Sequence, residues 1–146
     1  MALAACCGQI GQHAILMPIA YQRDDQRRLI IVTASMPYSD EDILSVIDRQ
    51  AAEDTWGYAM LYDMRTVTHP STEADLQVPA RVKAVGGGRE RGPVGLAVGA
   101  QPDQLRMGLR YTKLTRTLMT VEVLLTVAQV DDWLLRNARG GSSRQP

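Results

Sequence analysis

A chain of 146 residues with 45% hydrophobic and 22% charged residues has ordinary globular composition and is long enough for one domain with a substantial core. Sixteen basic residues balance sixteen acidic ones, which excludes bulk attraction to nucleic acid or to an anionic membrane, so a charge-driven partner has to use a local patch. No segment of the sequence approaches the roughly 18 apolar residues of a membrane helix.

Residues 1–13 read as a flexible leader. Its adjacent Cys6 and Cys7 cannot form an ordinary framework disulfide, and a reducing, cytoplasmic setting is the simplest reading. Leu3-Ala4-Ala5-Cys6 looks like a lipoprotein cleavage box, but it follows neither a basic region nor an apolar stretch.

One domain is expected over 14–138. Ala14 to Tyr21 and Leu29 to Ser35 are Ile- and Val-rich runs joined by the charged stretch Arg23 to Arg28, which predicts an antiparallel hairpin with Pro18 restricting the first strand to a sheet edge or bulge. The period then changes. Ser39 with Asp42 forms a capping signature, and Ile43, Val46, Ile47 and Ala51 share a face, which predicts a helix from Asp40 to Asp54 that Gly57 breaks. Tyr58 to Tyr62 is a continuous apolar run, as in strands covered on both faces.

A loop from Met64 to Pro70 leads to Ser71 and Thr72, either of which can cap a second helix carrying Ala74, Val78, Val82 and Val85, with Pro79 expected to kink it. Gly86-Gly87-Gly88 ends that helix. Pro93 to Ala100 is the next strand, and Pro102-Asp103 opens a third helix whose apolar residues are Leu105 and Leu109, with Met107, Tyr111, Leu114 and Leu118 on the neighbouring ridge. Val121 to Thr126 predicts the last strand, before a helix with Val130, Trp133 and Leu134 on one face and its end near Asn137. A Gly/Ser/Arg-rich tail over 139–146 is expected to be disordered. The order is that of an α/β domain with a mainly parallel five-stranded sheet, an N-terminal antiparallel hairpin and four helices.

Chemistry-bearing motifs are sparse. His13 and His69 have no partner at ligand spacing, no nucleophile elbow is present, and the glycine triplet follows a helix instead of bridging a strand to a helix, so no metal site, cofactor cradle or catalytic residue is assigned. That triplet reads as a C-cap and turn, with an anion site beside Arg89 and Arg91 as the alternative. Asp63 with Arg65 stands at the carboxyl end of a central strand, where open α/β sheets bind ligands, although an Asp that caps its own loop has the same sequence. Arg106, Arg110 and Lys113 recur at i, i+4, i+7, with Arg116 beside them and no acid between Asp103 and Glu122; this is either a solvated face or a surface for an anionic partner.

Three segments carry a likeness: Trp56-Gly57-Tyr58-Ala59-Met60-Leu61-Tyr62-Asp63-Met64-Arg65, Arg91-Gly92-Pro93-Val94 and Val130-Asp131-Asp132-Trp133-Leu134. With the element order from Ala14 to Asn137, they resemble small bacterial proteins of the SpoIIAA-like fold, related to STAS domains and more distantly to lipid-binding Sec14-type domains. The resemblance implies a SpoIIAA/STAS-like fold and a regulatory module that binds a protein partner, with homodimerisation also open. In antagonist-type STAS domains a phosphorylatable serine stands in an Asp-Ser-x-Gly motif. Here His69-Pro70-Ser71-Thr72-Glu73 keeps only the serine, and Glu73 would repel a phosphate, so a capping role is expected for Ser71 or Thr72. Capture of a small apolar or anionic ligand is the alternative within binding, and an enzyme with a site assembled from distant residues is the alternative outside it.

Overall fold

The computed structural model describes residues 18–67 and 72–143, and the side chains among them except those of 72–76 and 138–143. Its elements are β1 (Ile19–Asp24), β2 (Leu29–Ala34), α1 (Asp40–Ala52), β3 (Ala59–Asp63), α2 (Thr72–Gly86), β4 (Val94–Ala97), α3 (Pro102–Thr115), β5 (Val121–Leu124) and α4 (Val127–Ser143). Together they make an α/β fold with a mixed five-stranded sheet in chain order, β1-β2-β3-β4-β5, in which β1 pairs antiparallel with β2 and the other neighbours run parallel.

Every parallel connection steps the same way across the sheet, so right-handed crossovers put α1, α2 and α3 on one face. The last helix has no strand to lead into, and it packs on the opposite face against β3, β4 and β5. Alternation along the strands divides the core accordingly. Ile30, Val32, Met60, Tyr62, Val94 and Leu96 join the cluster under the three helices, whereas Leu29, Leu61 and Ala97 join Val130 and Leu134 beneath α4. This is why Tyr58 to Tyr62 is apolar without a break: successive side chains enter two different cores.

Local signals place most helix starts. Ser39 and Asp42 form a reciprocal capping box, with Asp42 N–H donating to Ser39 Oγ at 3.2 Å and Ser39 N–H to Asp42 Oδ2 at 2.7 Å. Thr126 and Gln129 repeat the device ahead of α4. The end of α1 is set differently from the expectation: the helix stops at Ala52 and Asp54 takes a left-handed conformation (φ 59°), so the chain turns before Gly57 is reached.

Other elements also differ from the expectation, β4 and β5 being shorter at their carboxyl ends. β1 begins after Pro18 and runs to Asp24, pairing Arg23 with Ile30 and Asp24 with Leu29, so the first two residues of the expected connector are strand. An edge strand tolerates these charges because its outer side is open to solvent, and Arg23 finds partners in Asp25 at 2.7 Å and the Tyr58 ring. α2 is one continuous helix through Pro79. α4 passes Asn137 and continues to Ser143, so the expected tail is helical over 139–143; Gly140 and Gly141 weaken a helix by about 1 kcal/mol each relative to alanine without interrupting its hydrogen-bond ladder.

The largest correction concerns α3. Its buried ridge is Gln104, Gly108, Tyr111 and Thr115, while Leu109 is 63% exposed and Leu114 36% exposed. Gly108 is the cause: a Cβ there would lie 2.8 Å from Val123 Cγ1, so the helix makes its close approach to the sheet at the one position without a side chain.

Candidate functional site

Asp63 ends β3 with its side chain directed at Arg65. The guanidinium Nε donates to Asp63 Oδ1 at 2.8 Å and Nη2 donates to Oδ2 at 2.9 Å, a two-pronged pair that occupies both carboxylate oxygens. Hydrogen bonding from Arg65 lowers the Asp63 pKa below its ordinary value against the opposing effect of partial burial. The segment beyond is held by Gln104, a residue with no assigned role in the sequence. It is 2% exposed, and its Nε2 donates to the carbonyls of Arg65, at 2.9 Å, and Val67. Its Oε1 is buried and unpartnered among the described residues. Ser71 lies outside the described residues, as do Cys6, Cys7, His13 and His69, and of Thr72 only its place as the first residue of α2 is defined.

Arg106, Arg110, Lys113 and Arg116 are all exposed along α3. Arg106 is neutralised within the helix by Asp103 at 2.9 Å, one turn back. Lys113 and Arg116 form no ion pair with a described residue, and they flank the exposed Leu109 and Leu114. The structure therefore does not join the two predicted groups into one cluster: Arg65 is matched to Asp63 and Arg106 to Asp103, each locally.

A third group sits at the amino ends of the parallel strands. Arg91 is only 4% exposed, and it meets no carboxylate among the described residues. Its Nε and Nη2 donate to Gln50 Oε1 at 3.2 and 2.9 Å, Nη2 also reaches Met60 Sδ at 3.1 Å, Nη1 reaches Met119 Sδ at 3.4 Å, and the guanidinium stands 5.1 Å from the Trp56 ring. Every acceptor is neutral and two are thioethers, which are weak ones. Burying a charge in this way costs several kcal/mol that a counter-ion would normally offset.

The positions are fixed by backbone contacts. Gly92 N–H donates to the Trp56 carbonyl at 3.0 Å, and a Cβ on Gly92 would fall 2.2 Å from the Tyr58 carbonyl oxygen. A recess of about 270 Å³ adjoins Arg91, with Trp56, Lys83, Gly86, Arg89 and Glu90 in its wall. Arg89 is committed to capping α2, donating to the carbonyls of Gly86 at 3.0 Å and Val85 at 3.3 Å. The sequence placed Arg91 beside the glycine turn, with an anion site there as the alternative reading, and gave no sign that its guanidinium is buried. Gln50 does carry a signal in the sequence, since it follows Ile43, Val46 and Ile47 at helical spacing on their face and so has to enter the core.

A second recess, of about 560 Å³, separates α4 from the hairpin turn; Leu29, Ala59, Pro93 and Leu134 line its apolar floor, and Arg27 Nη2 bridges to Asp131 Oδ1 at 2.5 Å beside it. Among the described residues no three His, Cys, Asp or Glu side chains converge as metal ligands, and no helix is long and apolar enough to cross a membrane. The chain matches no protein-family model and no curated protein.

Proposed function

We propose that this chain is a non-enzymatic, STAS-like regulatory module of the cytoplasm that docks an acidic protein surface on the outer face of α3. The observation that carries the reading is Leu109, 63% exposed, beside Lys113 and Arg116, which have no acidic partner among the described residues. Large apolar and basic side chains presented together suit an interface, where the apolar group supplies affinity and the charges supply steering. The hairpin followed by parallel β-α units supports the STAS-like assignment.

The test is a pair of charge reversals, Lys113→Glu with Arg116→Glu, and separately Leu109→Asp. Against a partner recovered with the wild-type chain, the double variant should bind more weakly, with a deficit that shrinks as salt rises because exposed charges are screened over about 10 Å at 0.1 M. Wild-type affinity in both variants at low salt overturns the reading. Sedimentation of the same proteins reports whether that partner is a second copy. Ser71 acts in this reading as a cap; stoichiometric phosphate on it, found by mass spectrometry of protein from its host, would replace the cap with a phosphoswitch.

A further inference from the structure

We infer that the recess beside Arg91 is a binding site for a small oxyanion, a phosphate or carboxylate group, whose charge completes the buried guanidinium. The inference is independent of the α3 surface. Arg91 is buried with neutral partners only, Gln50, Met60, Met119 and the Trp56 ring, and arginine is almost never buried without a counter-charge. The space next to it is bounded by two further cations, Lys83 and Arg89. Lys83 forms no ion pair with a described residue. Arg89 has its nearest acid, Asp54, at 3.7 Å, and that carboxylate stands out in solvent with 94% of its side chain exposed. Glu90 is the one acid in the wall, so cations outnumber acids around the recess.

The geometry also selects the ligand. Gln50, Met60 and Met119 take four of the five guanidinium N–H groups of Arg91, so one Nη1 N–H and the uncompensated charge remain for an oxygen of a phosphate or carboxylate. Arg89 is held by the last carbonyls of α2 and by stacking 5.6 Å from Trp56, so it contributes charge, whereas Lys83 is a free point charge able to turn towards the ligand. A recess of about 270 Å³ admits the oxyanion and a small organic group but not a large cofactor.

Trp56 supplies the reporter. The chain has two tryptophans, and Trp133 lies across the sheet near Gly95, so Trp133→Phe leaves Trp56 as the sole indole. That protein is titrated with inorganic phosphate and, in a separate arm, with acetate, at ionic strength held constant with chloride. A saturable change in Trp56 emission is expected in at least one arm; phosphate alone assigns a phosphoryl ligand and acetate alone a carboxylate. Arg91→Met should abolish the response, Lys83→Gln should weaken binding about threefold, and Glu90→Gln should tighten it by a similar factor. No saturable response in either arm overturns the inference, as does unchanged binding in Arg91→Met. Should Arg91→Met fail to fold, the opposite shifts of Lys83→Gln and Glu90→Gln support the site, and their absence overturns it.

Discussion

At the carboxyl ends of the parallel strands, Arg65 lies over Asp63 in a two-pronged ion pair open to solvent; at their amino ends, Arg91 is buried against an amide oxygen, two thioethers and an indole. Both are arginines near the end of a central strand, yet their energetics are opposite. The exposed pair satisfies itself locally at little gain, because water screens it. The buried cation depends on residues from α1, β3 and the segment before β5, so the charge there is a property of the whole packed end. Open α/β sheets ordinarily bind ligands at the carboxyl ends. Here the Asp63–Arg65 pair neutralises itself at that end, and uncompensated charge is found at the other.

The strongest way to break the comparison is to disturb the backbone that positions the amino end. Gly92→Ala places a methyl carbon against the Tyr58 carbonyl, and we expect a loss of about 3 kcal/mol, seen as a fall in Tm on the order of 10 °C. A shift under about 2 °C would mean that the Trp56–Gly92 crossing yields easily and that the burial of Arg91 is loosely determined.

Gln50→Leu sharpens the contrast between the two arginines. It removes the only strong acceptor of a buried cation among the described residues and should cost about 1–3 kcal/mol in urea denaturation, and adding Arg91→Met should restore most of that loss, because both partners are then gone. Simple additivity of the two changes would show that the pair is not coupled.

Asp63→Asn addresses the other end, where we expect a fall in Tm of about 2 °C or less at neutral pH, since the pair is half in solvent. The Asp63 pKa is lowered in the folded chain by Arg65, so its contribution is complete above the ordinary value of 3.8 and disappears as pH falls through the lower folded value. The variant should therefore differ from the wild type above that range and converge with it in acid.

Tyr21 yields the smallest effect. Burial first, then the hydrogen bond it donates to Glu53 at 3.0 Å, raises its pKa to about 12, so ultraviolet titration should show a late-ionising component that is lost in Tyr21→Phe, and Glu53→Gln should move it earlier. The stabilisation linked to this shift is present below pH 10 and disappears as pH rises through about 12. A Tyr21→Phe difference titration centred at the ordinary value of 10 would place Tyr21 in solvent instead of against α1.

By itself the sequence determined the elements and their order. Period-two runs, the Ser39–Asp42 box and the unbroken apolar segment around Met60 are local records of backbone geometry and two-sided burial, and a chain alternating between strands and helices admits few topologies. The Asp63–Arg65 pair was also legible, because its partners are two residues apart. Tertiary structure alone decided which side of α3 is buried, because Leu105 and Leu109 are the more apolar choice while Gly108 offers the closer approach to Val98 and Val123. It also decided the fate of Arg91. A guanidinium bonded to Gln50, 41 positions away in the chain, and to Met119, 28 positions away, leaves no mark on its own neighbours in sequence, since burial of a charge is set by what the fold brings around it.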